Sequence, residues 1–307
     1  MQIIAIDFGG TRMRAGRFDA DLELLARAET PTLAHEPQAA VLDRLLQLAQ
    51  TVCDGVPTVI GISAPCPTAF TGVISHAAVL PGWQDVPLAQ IISEAFGGVQ
   101  VYMENDANLG ALAEYHKGAA QGANPAVYMT ISTGIGGGLV VDGKLFTGKN
   151  GLAIEPGHTK FRGPDGAVYS LEDFASGPGI TRLAKQHLAH NTEPSTLRDL
   201  PEITGKVVGD AAIAGDTLAN VVIAEAGWWL GLGLVNVAHM CNPEVIVLGG
   251  SVIKLGDLIL NPARQMVRDH VVAPGFYHDD LVRIAQLGDD VCLIGAAAYA
   301  HQAWKSS

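Results

Sequence analysis

Two glycine-rich turns, each placed directly after an apolar segment, are the strongest chemical signal in this sequence. The first is Gly-Gly-Thr at positions 9–11, and the second covers residues 134–138, after Thr133. A turn built from glycine lets the backbone approach a phosphate closely, so that several N–H groups converge on the anion. One such turn is more typical of a tight hairpin, but two matching turns indicate a nucleotide gripped from both sides.

Acidic and amide side chains stand where predicted strands end. Asp7 closes the first strand, where a carboxylate can hold Mg²⁺ directly or through water, or can simply cap the turn. Asn105 and Asp106 stand where a strand passes into a helix, a place where Asn or Asp is often only the N-cap. The alternative is that the strand delivers Asp106 to a ligand-binding edge, where it serves as the base of a phosphoryl transfer.

Further candidate ligands follow the second turn. Glu155 and His158 lie three residues apart in a glycine-containing loop. Such a pair usually lies on the surface without a role in binding. Beside a glycine turn that can bind phosphate, it predicts two ligands for sugar hydroxyls, with Glu172 as a third ligand. Gly249-Gly250, between a predicted strand and a helix, can seat an adenine and ribose, although alone it would be an ordinary buried turn.

Other classes of protein fit less well. A dinucleotide-binding fingerprint needs a helix after its glycines, and here a strand follows; a Walker A loop is absent as well. The net charge of −12 disfavours nucleic acid as a partner, whereas ATP can be bound locally by backbone amides and Mg²⁺. The apolar stretch 221–240 contains Glu225 and Asn236, which predicts a buried core helix and no membrane partner. Four scattered cysteines indicate reduced thiols, and with a first core strand in place of a signal peptide they predict a cytoplasmic protein.

Strands alternate with helices along the chain, which predicts an α/β protein with sheets covered on both faces. We expect two domains with a cleft between them: 1–118, with a final helix at about 295–307 packing back on it, and 119–294. Helices are predicted at 38–52, 88–96, 105–117, 210–241, 257–270 and from 295, and strands at 58–63, 99–104, 245–248 and 282–286.

Together these segments resemble the ROK family of repressors, open reading frames and sugar kinases. The similarity spans nearly the whole chain and keeps the family's order. It includes DFGGTRMRAGRFD, LPGWQDVPL, ENDANLGALAE, STGIGGGLVVDGKLFTG, the Glu155-x-x-His158 loop, NPEVIVLGG and IGAAAYA.

The resemblance implies the two-domain fold of actin, hexokinase and the Hsp70 ATPase (ribonuclease H-like), and phosphorylation of a hexose by Mg·ATP. The acceptor would be glucose or a close relative, or an N-acetylhexosamine. Asp106 would be the catalytic base and Asp7 the magnesium ligand. The resemblance further implies sugar contacts from Asn105, Glu155, His158, Glu172 and Cys66, and nucleotide contacts from Gly9, Gly10, Thr11, Arg12, Thr133, Gly134, Gly136, Gly249 and Gly250.

Three departures from the family pattern bear on this expectation. The family usually carries a cysteine-rich zinc loop between the His and the later Glu, and here that stretch is TKFRGPDGAVYS, without cysteine. His158 must then be oriented by a hydrogen bond or by packing instead of by a metal. Cys66 replaces a glycine beside the sugar, and Val79 stands where a sugar-binding Asn is common.

Alternative functions remain open at this point. A weakened sugar sensor would explain Cys66 and Val79, but binding alone does not require the base Asp106. A glucokinase that uses polyphosphate would not need the adenosine seat at 249–250. A family repressor would carry a DNA-binding extension before the first strand. A homodimer is common in similar families, and the sequence does not decide the oligomeric state.

The absent cysteine cluster predicts that the purified protein holds no stoichiometric zinc. Chelators should leave folding unchanged, while activity should still need Mg²⁺. Elemental analysis by mass spectrometry is the measurement, and one tightly bound zinc per chain would show that the loop around His158 has been misinterpreted.

Overall fold

A computed structural model describes residues 1–67, 69–77, 79–163 and 165–307. These residues form two compact units: unit 1 contains Met1–Gln121, Lys144–Ala153 and Gln286–Ser307, and unit 2 contains Gly122–Gly143 and Ile154–Ala285. This division groups 144–153 with the N-terminal residues, whereas the sequence placed them in the second domain.

The strands and helices alternate as an α/β protein requires. The strands are β1 (Ile3–Phe8), β2 (Arg12–Phe18), β3 (Leu24–Pro31), β4 (Val59–Ala64), β5 (Ile74–His76), β6 (Gln84–Val86), β7 (Val101–Asn105), β8 (Ala126–Ile131), β9 (Ile135–Val141), β10 (Lys144–Leu145), β11 (Lys160–Arg162), β12 (Val168–Ser170), β13 (Val245–Gly249) and β14 (Val282–Ile284). The α-helices are α1 (Gln38–Val52), α2 (Leu88–Ala95), α3 (Asp106–Lys117), α4 (Glu172–Ala175), α5 (Gly177–His190), α6 (Gly205–Ile213), α7 (Thr217–Cys241), α8 (Asp257–His270) and α9 (Val291–Ser306).

The sheet of unit 1 has the order β3-β2-β1-β4-β7. β2 runs antiparallel to β1, while β4 and β7 run parallel to it, so the carboxyl ends of β1, β4 and β7 meet at one edge. In register, Asp7 pairs with Ser63, and Ser63 with Glu104. Every residue of β1 and β4 is buried, which fits their continuous apolar sequences.

Small residues bring the last helix close to the rest of unit 1. α9 packs against α3 and against the sheet, with Ala296, Ala297 and Ala300 fully buried among Ile3, Ala5 and Leu109. A Cβ on Gly295 would lie 2.1 Å from the carbonyl oxygen of Leu109, so this helix pair depends on a glycine. α9 begins at Val291, four residues before the predicted start at 295.

In unit 2 the order β9-β8-β13-β14 repeats the same arrangement: β9 is antiparallel to β8, while β13 and β14 are parallel to their neighbours. The core lies between this sheet and helices α5 to α8. α7 is long and apolar enough to cross a membrane, but 67% of its most apolar window is buried inside the protein. Its apolar surface therefore serves the core, as the sequence predicted.

The prediction of one helix over 210–241 was wrong, because the structure has two. α6 ends at Ile213, and Gly215 adopts a left-handed φ of +91°. Asp216 then caps α7 by accepting a hydrogen bond from the backbone N–H of Ala219 at 3.0 Å. Gly followed by Asp is a helix-stop and helix-start signal that the apolar periodicity on both sides concealed. The sequence analysis also missed α5 and the β11–β12 hairpin.

Replacing Gly295 with Ala should destabilise the protein by about 1–3 kcal/mol, because the new methyl group must displace the backbone of α3. The matched control is Gly275→Ala, since a Cβ at that position meets no atom within 4 Å. Thermal unfolding of the two variants gives the comparison. A Gly295→Ala protein that unfolds with the wild type would contradict the close approach.

Candidate functional site

The first glycine turn connects β1 to β2 and is held by a buried threonine. Thr32 donates its backbone N–H to the oxygen of Thr11 at 2.9 Å and its hydroxyl to the oxygen of Gly9 at 2.6 Å. The side chains of Thr11 and Arg12 are exposed, and Arg12 forms an ion pair with Glu29 at 2.6 Å. The turn therefore keeps a fixed backbone while it presents its outer face to solvent.

Gly10 faces a neighbouring loop of unit 1. A Cβ on Gly10 would lie 2.5 Å from Cβ of Val79 and 2.8 Å from its carbonyl oxygen. A side chain at position 10 would thus push against residue 79 before it reached any ligand. Val79 itself is about half exposed, so it forms an apolar wall beside the turn.

Asp7 lies at the end of β1 and is only 8% exposed. Its Oδ2 accepts a hydrogen bond from Nη1 of Arg14 at 2.9 Å. Burial raises the pKa of Asp7 to about 6, against the opposing effect of Arg14, and the negative charge of Asp106 adds to the rise. At neutral pH most Asp7 is still ionised.

At the junction of β7 and α3, two adjacent residues take different roles. Asn105 is the N-cap, and its Oδ1 accepts a hydrogen bond from the N–H of Asn108 at 2.8 Å. Asp106 is the first helical residue; its Oδ1 accepts from the N–H of Ala107 at 2.8 Å, and its side chain reaches solvent. The surrounding protein desolvates this carboxylate and raises its pKa. The capping role is thus met by Asn105, which leaves the Asp106 carboxylate available for chemistry.

Glu104 supports this junction from inside the protein and was missed by the sequence analysis. It is fully buried, and its Oε1 accepts hydrogen bonds from the N–H of Asn105 at 2.8 Å and from Nδ2 of Asn108 at 3.3 Å. Among the described residues its Oε2 has no hydrogen-bond partner. Burial therefore raises the pKa of Glu104. A charged residue inside an apolar strand was the available signal.

Two cysteines lie in unit 1 near these groups. Cys66 is 2% exposed, packs in the apolar core, and its Sγ lies 3.6 Å from Oγ of Ser75. Its assignment as a sugar contact stays a prediction. Cys292, at the start of α9, was not singled out from the sequence; burial together with the charges of Asp7 and Asp106 raises the pKa of its thiol well above the usual value.

In unit 2 the second glycine turn lies beside the turn after β13. Ser132 accepts a hydrogen bond at its oxygen from the N–H of Gly177 at 2.8 Å, and its hydroxyl lies 3.0 Å from that of Ser251. Gly250 has a φ of +92°, and a Cβ there would lie 2.3 Å from the oxygen of Ile131. Because β8 and β13 are parallel, their carboxyl ends bring Thr133-Gly134 and Gly249-Gly250 to one edge.

The loop that carries Glu155 and His158 packs tightly against β9. A Cβ on Gly157 would lie 2.1 Å from the carbonyl oxygen of Ile135, so only glycine allows this contact. Ile154, directly before Glu155, adopts a φ of +63°, which is rare for a β-branched residue and marks local strain. Glu155 and His158 are both exposed.

Glu172 connects this loop to the second turn. Its Oε1 lies 3.6 Å from Nδ1 of His158, and its Oε2 accepts a hydrogen bond from the N–H of Ile135 at 3.4 Å. The structure thus brings together His158 and Glu172, two of the three predicted sugar ligands of unit 2. At 3.6 Å, Nδ1 of His158 and Oε1 of Glu172 stand beyond hydrogen-bond distance, so the expectation that a hydrogen bond or packing orients His158 stays a prediction.

We expect the pH dependence of stability to reveal the raised pKa of Glu104. Because its folded-state pKa is raised above the ordinary 4.5, its contribution to stability is complete below pH 4.5 and is lost as the pH rises through the folded pKa. Glu104→Gln keeps the size and the accepting oxygen but cannot ionise. The variant should therefore gain stability relative to the wild type as the pH rises from 4.5, measured by urea unfolding, and parallel curves would contradict a raised pKa.

Comparison with known proteins identifies the family. The model of the ROK family matches residues 3–303. The chain is 33% identical to a glucokinase of Halalkalibacterium halodurans over 95% of this chain and 92% of the relative. A ROK hexokinase of Thermus thermophilus has a solved structure with 31% identity and a TM-score of 0.81, covering both chains completely. A ROK family glucokinase of Streptomyces griseus, solved with glucose and AMPPNP, has 29% identity and a TM-score of 0.78, covering 98% of this chain and 100% of that one.

These likenesses confirm the family and the fold that the sequence resemblance implied. The chain belongs to the ROK family and has the two-domain actin-like ATPase fold of its sugar kinases.

Proposed function

We propose that this protein transfers the γ-phosphoryl group of ATP to a hydroxyl of a hexose. The observation that carries the proposal is the β7–α3 junction, where Asn105 caps the helix and Asp106 presents a carboxylate of raised pKa to solvent. Binding alone needs no such group, but transfer to a hydroxyl needs a base. The likeness to a glucokinase solved with glucose and a nucleotide analogue supports the same conclusion.

In the proposed reaction, Asp106 accepts the proton of the sugar hydroxyl as its oxygen attacks the γ-phosphorus. The bond from that phosphorus to the bridging oxygen breaks, and ADP leaves with the electron pair. A carboxylate of raised pKa is a stronger base than one in water, so it takes the proton more readily. The phosphate turns contribute backbone N–H groups, which stabilise charge on the transferring group.

ATP is the proposed donor, in contact with Gly9, Gly10, Thr11, Arg12, Thr133, Gly134, Gly136, Gly249 and Gly250. No group of three or more His, Cys, Asp or Glu within the described ranges could hold a metal ion by itself. A single buried carboxylate fits Mg²⁺ that is also bound by phosphate, and Asp7 would hold it directly or through water. Mg²⁺ bound in this way neutralises charge on the phosphate oxygens.

The proposed sugar ligands are Asn105, Glu155, His158, Glu172 and Cys66. Carboxylates and an imidazole suit hydroxyl groups, and the Asn105 amide keeps its two N–H donors after its oxygen has capped α3. Glucose, a close relative, or an N-acetylhexosamine fits this chemistry. Val79 offers no hydrogen bond, so a panel of acceptors is needed to identify the sugar.

The remaining features follow from the proposed activity. We propose that a kinase whose product is a phosphorylated metabolite works in the cytoplasm. Its partners are the sugar and ATP, without nucleic acid or membrane. The homodimer stays a prediction from similar families.

Asp106→Asn should lower the turnover number by roughly 10²–10⁴, the usual worth of a positioned general base. Asn keeps the oxygen that accepts from Ala107, so α3 should begin unchanged and the sugar should bind with near-normal affinity. Turnover is followed by coupled ADP release over hexoses and hexosamines, and affinity by calorimetry.

The matched control is Asp43→Asn, an exposed carboxylate on α1 that should leave both quantities unchanged. Unchanged turnover in Asp106→Asn would remove the base from this position. A wild type that binds sugar but phosphorylates none of the panel would favour the sensor over the kinase. Turnover with polyphosphate but not with ATP would show that polyphosphate is the phosphoryl donor.

A further inference from the structure

Four aromatic rings form a connected group beneath α4 in unit 2. Phe174 of α4 stacks on Trp229 of α7 with centroids 3.9 Å apart and planes at 9°. Tyr169 of β12 meets the Phe174 ring at 5.1 Å, and Phe161 of β11 meets Trp229 at 6.0 Å. This aromatic group fastens both strands of the β11–β12 hairpin, and α4 with them, to the long core helix.

Arg182 of α5 connects this group to the backbone of α4. Its guanidinium carbon lies 4.5 Å from the centroid of Tyr169 and 4.6 Å from that of Phe174. Its Nε and Nη2 donate to the carbonyl oxygen of Asp173 at 3.1 and 2.7 Å. Across the described part of the chain, no ion pair involves Arg182. Both the positive charge and the planar guanidinium group of Arg182 therefore contact α4 and the hairpin.

The carbonyl oxygen that accepts hydrogen bonds from Arg182 belongs to Asp173, the residue next to Glu172. α4 has only four residues, too few for its own hydrogen bonds to fix its direction. The stack of Phe174 on Trp229 holds α4 against α7. Local hydrogen bonds add to it: Asp173 accepts from the N–H and hydroxyl of Ser170, both at 2.7 Å, and the N–H of Leu171 donates to the oxygen of Thr159 at 3.1 Å. Arg182 adds a hydrogen-bonded restraint from α5.

We propose that Arg182 is a positioning residue for sugar binding, which acts through Glu172. By holding the Asp173 carbonyl and covering the rings of Tyr169 and Phe174, it fixes the direction in which Glu172 leaves α4. The Oε2 of Glu172 accepts a hydrogen bond from the N–H of Ile135 in the second turn, and its Oε1 lies 3.6 Å from Nδ1 of His158. Cation–π and carbonyl contacts thus orient the imidazole in a loop that lacks metal-binding cysteines. The inference rests on the proposed sugar kinase activity.

The first test compares Arg182→Met, which keeps the stem but loses the charge and the donors, with Arg182→Lys, which keeps the charge and loses the planar fork. The Kd for glucose, or for the best acceptor found, should rise about tenfold in Arg182→Met and less in Arg182→Lys. The KM for ATP should change less than the sugar affinity. Lys185→Met on the same helix is the control, because Lys185 is exposed and, within the described residues, makes no hydrogen bond or ion pair with these groups.

A double-mutant cycle with Glu172→Gln separates positioning from a merely structural role. If Arg182 acts through Glu172, the double variant should bind sugar about as weakly as Glu172→Gln alone. Additive losses would overturn the proposal, as would a lower unfolding temperature with unchanged sugar affinity, or equal losses for sugar and ATP. If the wild type neither binds nor phosphorylates sugar, the proposed function is wrong and the inference is wrong with it. If the wild type phosphorylates sugar but the losses in the double-mutant cycle are additive, only the inference is wrong.

Discussion

Backbone segments in both units approach each other more closely than a side chain allows, and the arrangement of the candidate site depends on this constraint. Gly157 meets the carbonyl of Ile135, Gly250 meets that of Ile131, and Gly295 meets that of Leu109, each within 2.4 Å of where a Cβ would stand. The first contact sets the loop of Glu155 and His158 against the start of β9, and the second sets the turn after β13 against the end of β8. Glycine at these positions therefore allows the close backbone contacts that set where the polar side chains of the site lie. Exposing backbone N–H groups to a ligand is a separate and secondary effect of glycine.

The acidic groups of unit 1 are gathered by the parallel register of its strands. Asp7, Ser63 and Glu104 occupy paired positions on three neighbouring strands, so Asp106 follows directly at the same edge. Burial raises the pKa of Asp7 and of Glu104, desolvation by the surrounding protein raises that of Asp106, and Arg14 is the cation hydrogen-bonded to Asp7. Glu114, also buried, has a structural role: it accepts hydrogen bonds from the backbone N–H groups of Ala119, Gln286 and Leu287.

The fold and the family could be predicted because their signals are local in the sequence. Strand, glycine turn and antiparallel strand occur twice, and Asn105-Asp106 stands at a visible strand end. The break at Gly215-Asp216 was missed because apolar periodicity continues on both sides of it. Arg182 and Trp229 could not be found at all, because their partners lie on other elements and only the tertiary fold brings the charge over the rings. Which of two adjacent residues would cap α3 likewise depends on side-chain geometry that spacing does not encode.

The charged side chains of the candidate site differ in their surroundings between the two units. In unit 2, Glu172 and His158 are partly or largely exposed, and what matters there is the direction in which their side chains point. In unit 1, the carboxylates at the strand edge are desolvated and repel one another, since Asp106 raises the pKa of Asp7. A cation placed there favours the ionised forms and lowers these pKa values. Under the proposed function, Mg²⁺ bound at Asp7 would lower the pKa of that carboxylate and would release protons as it binds.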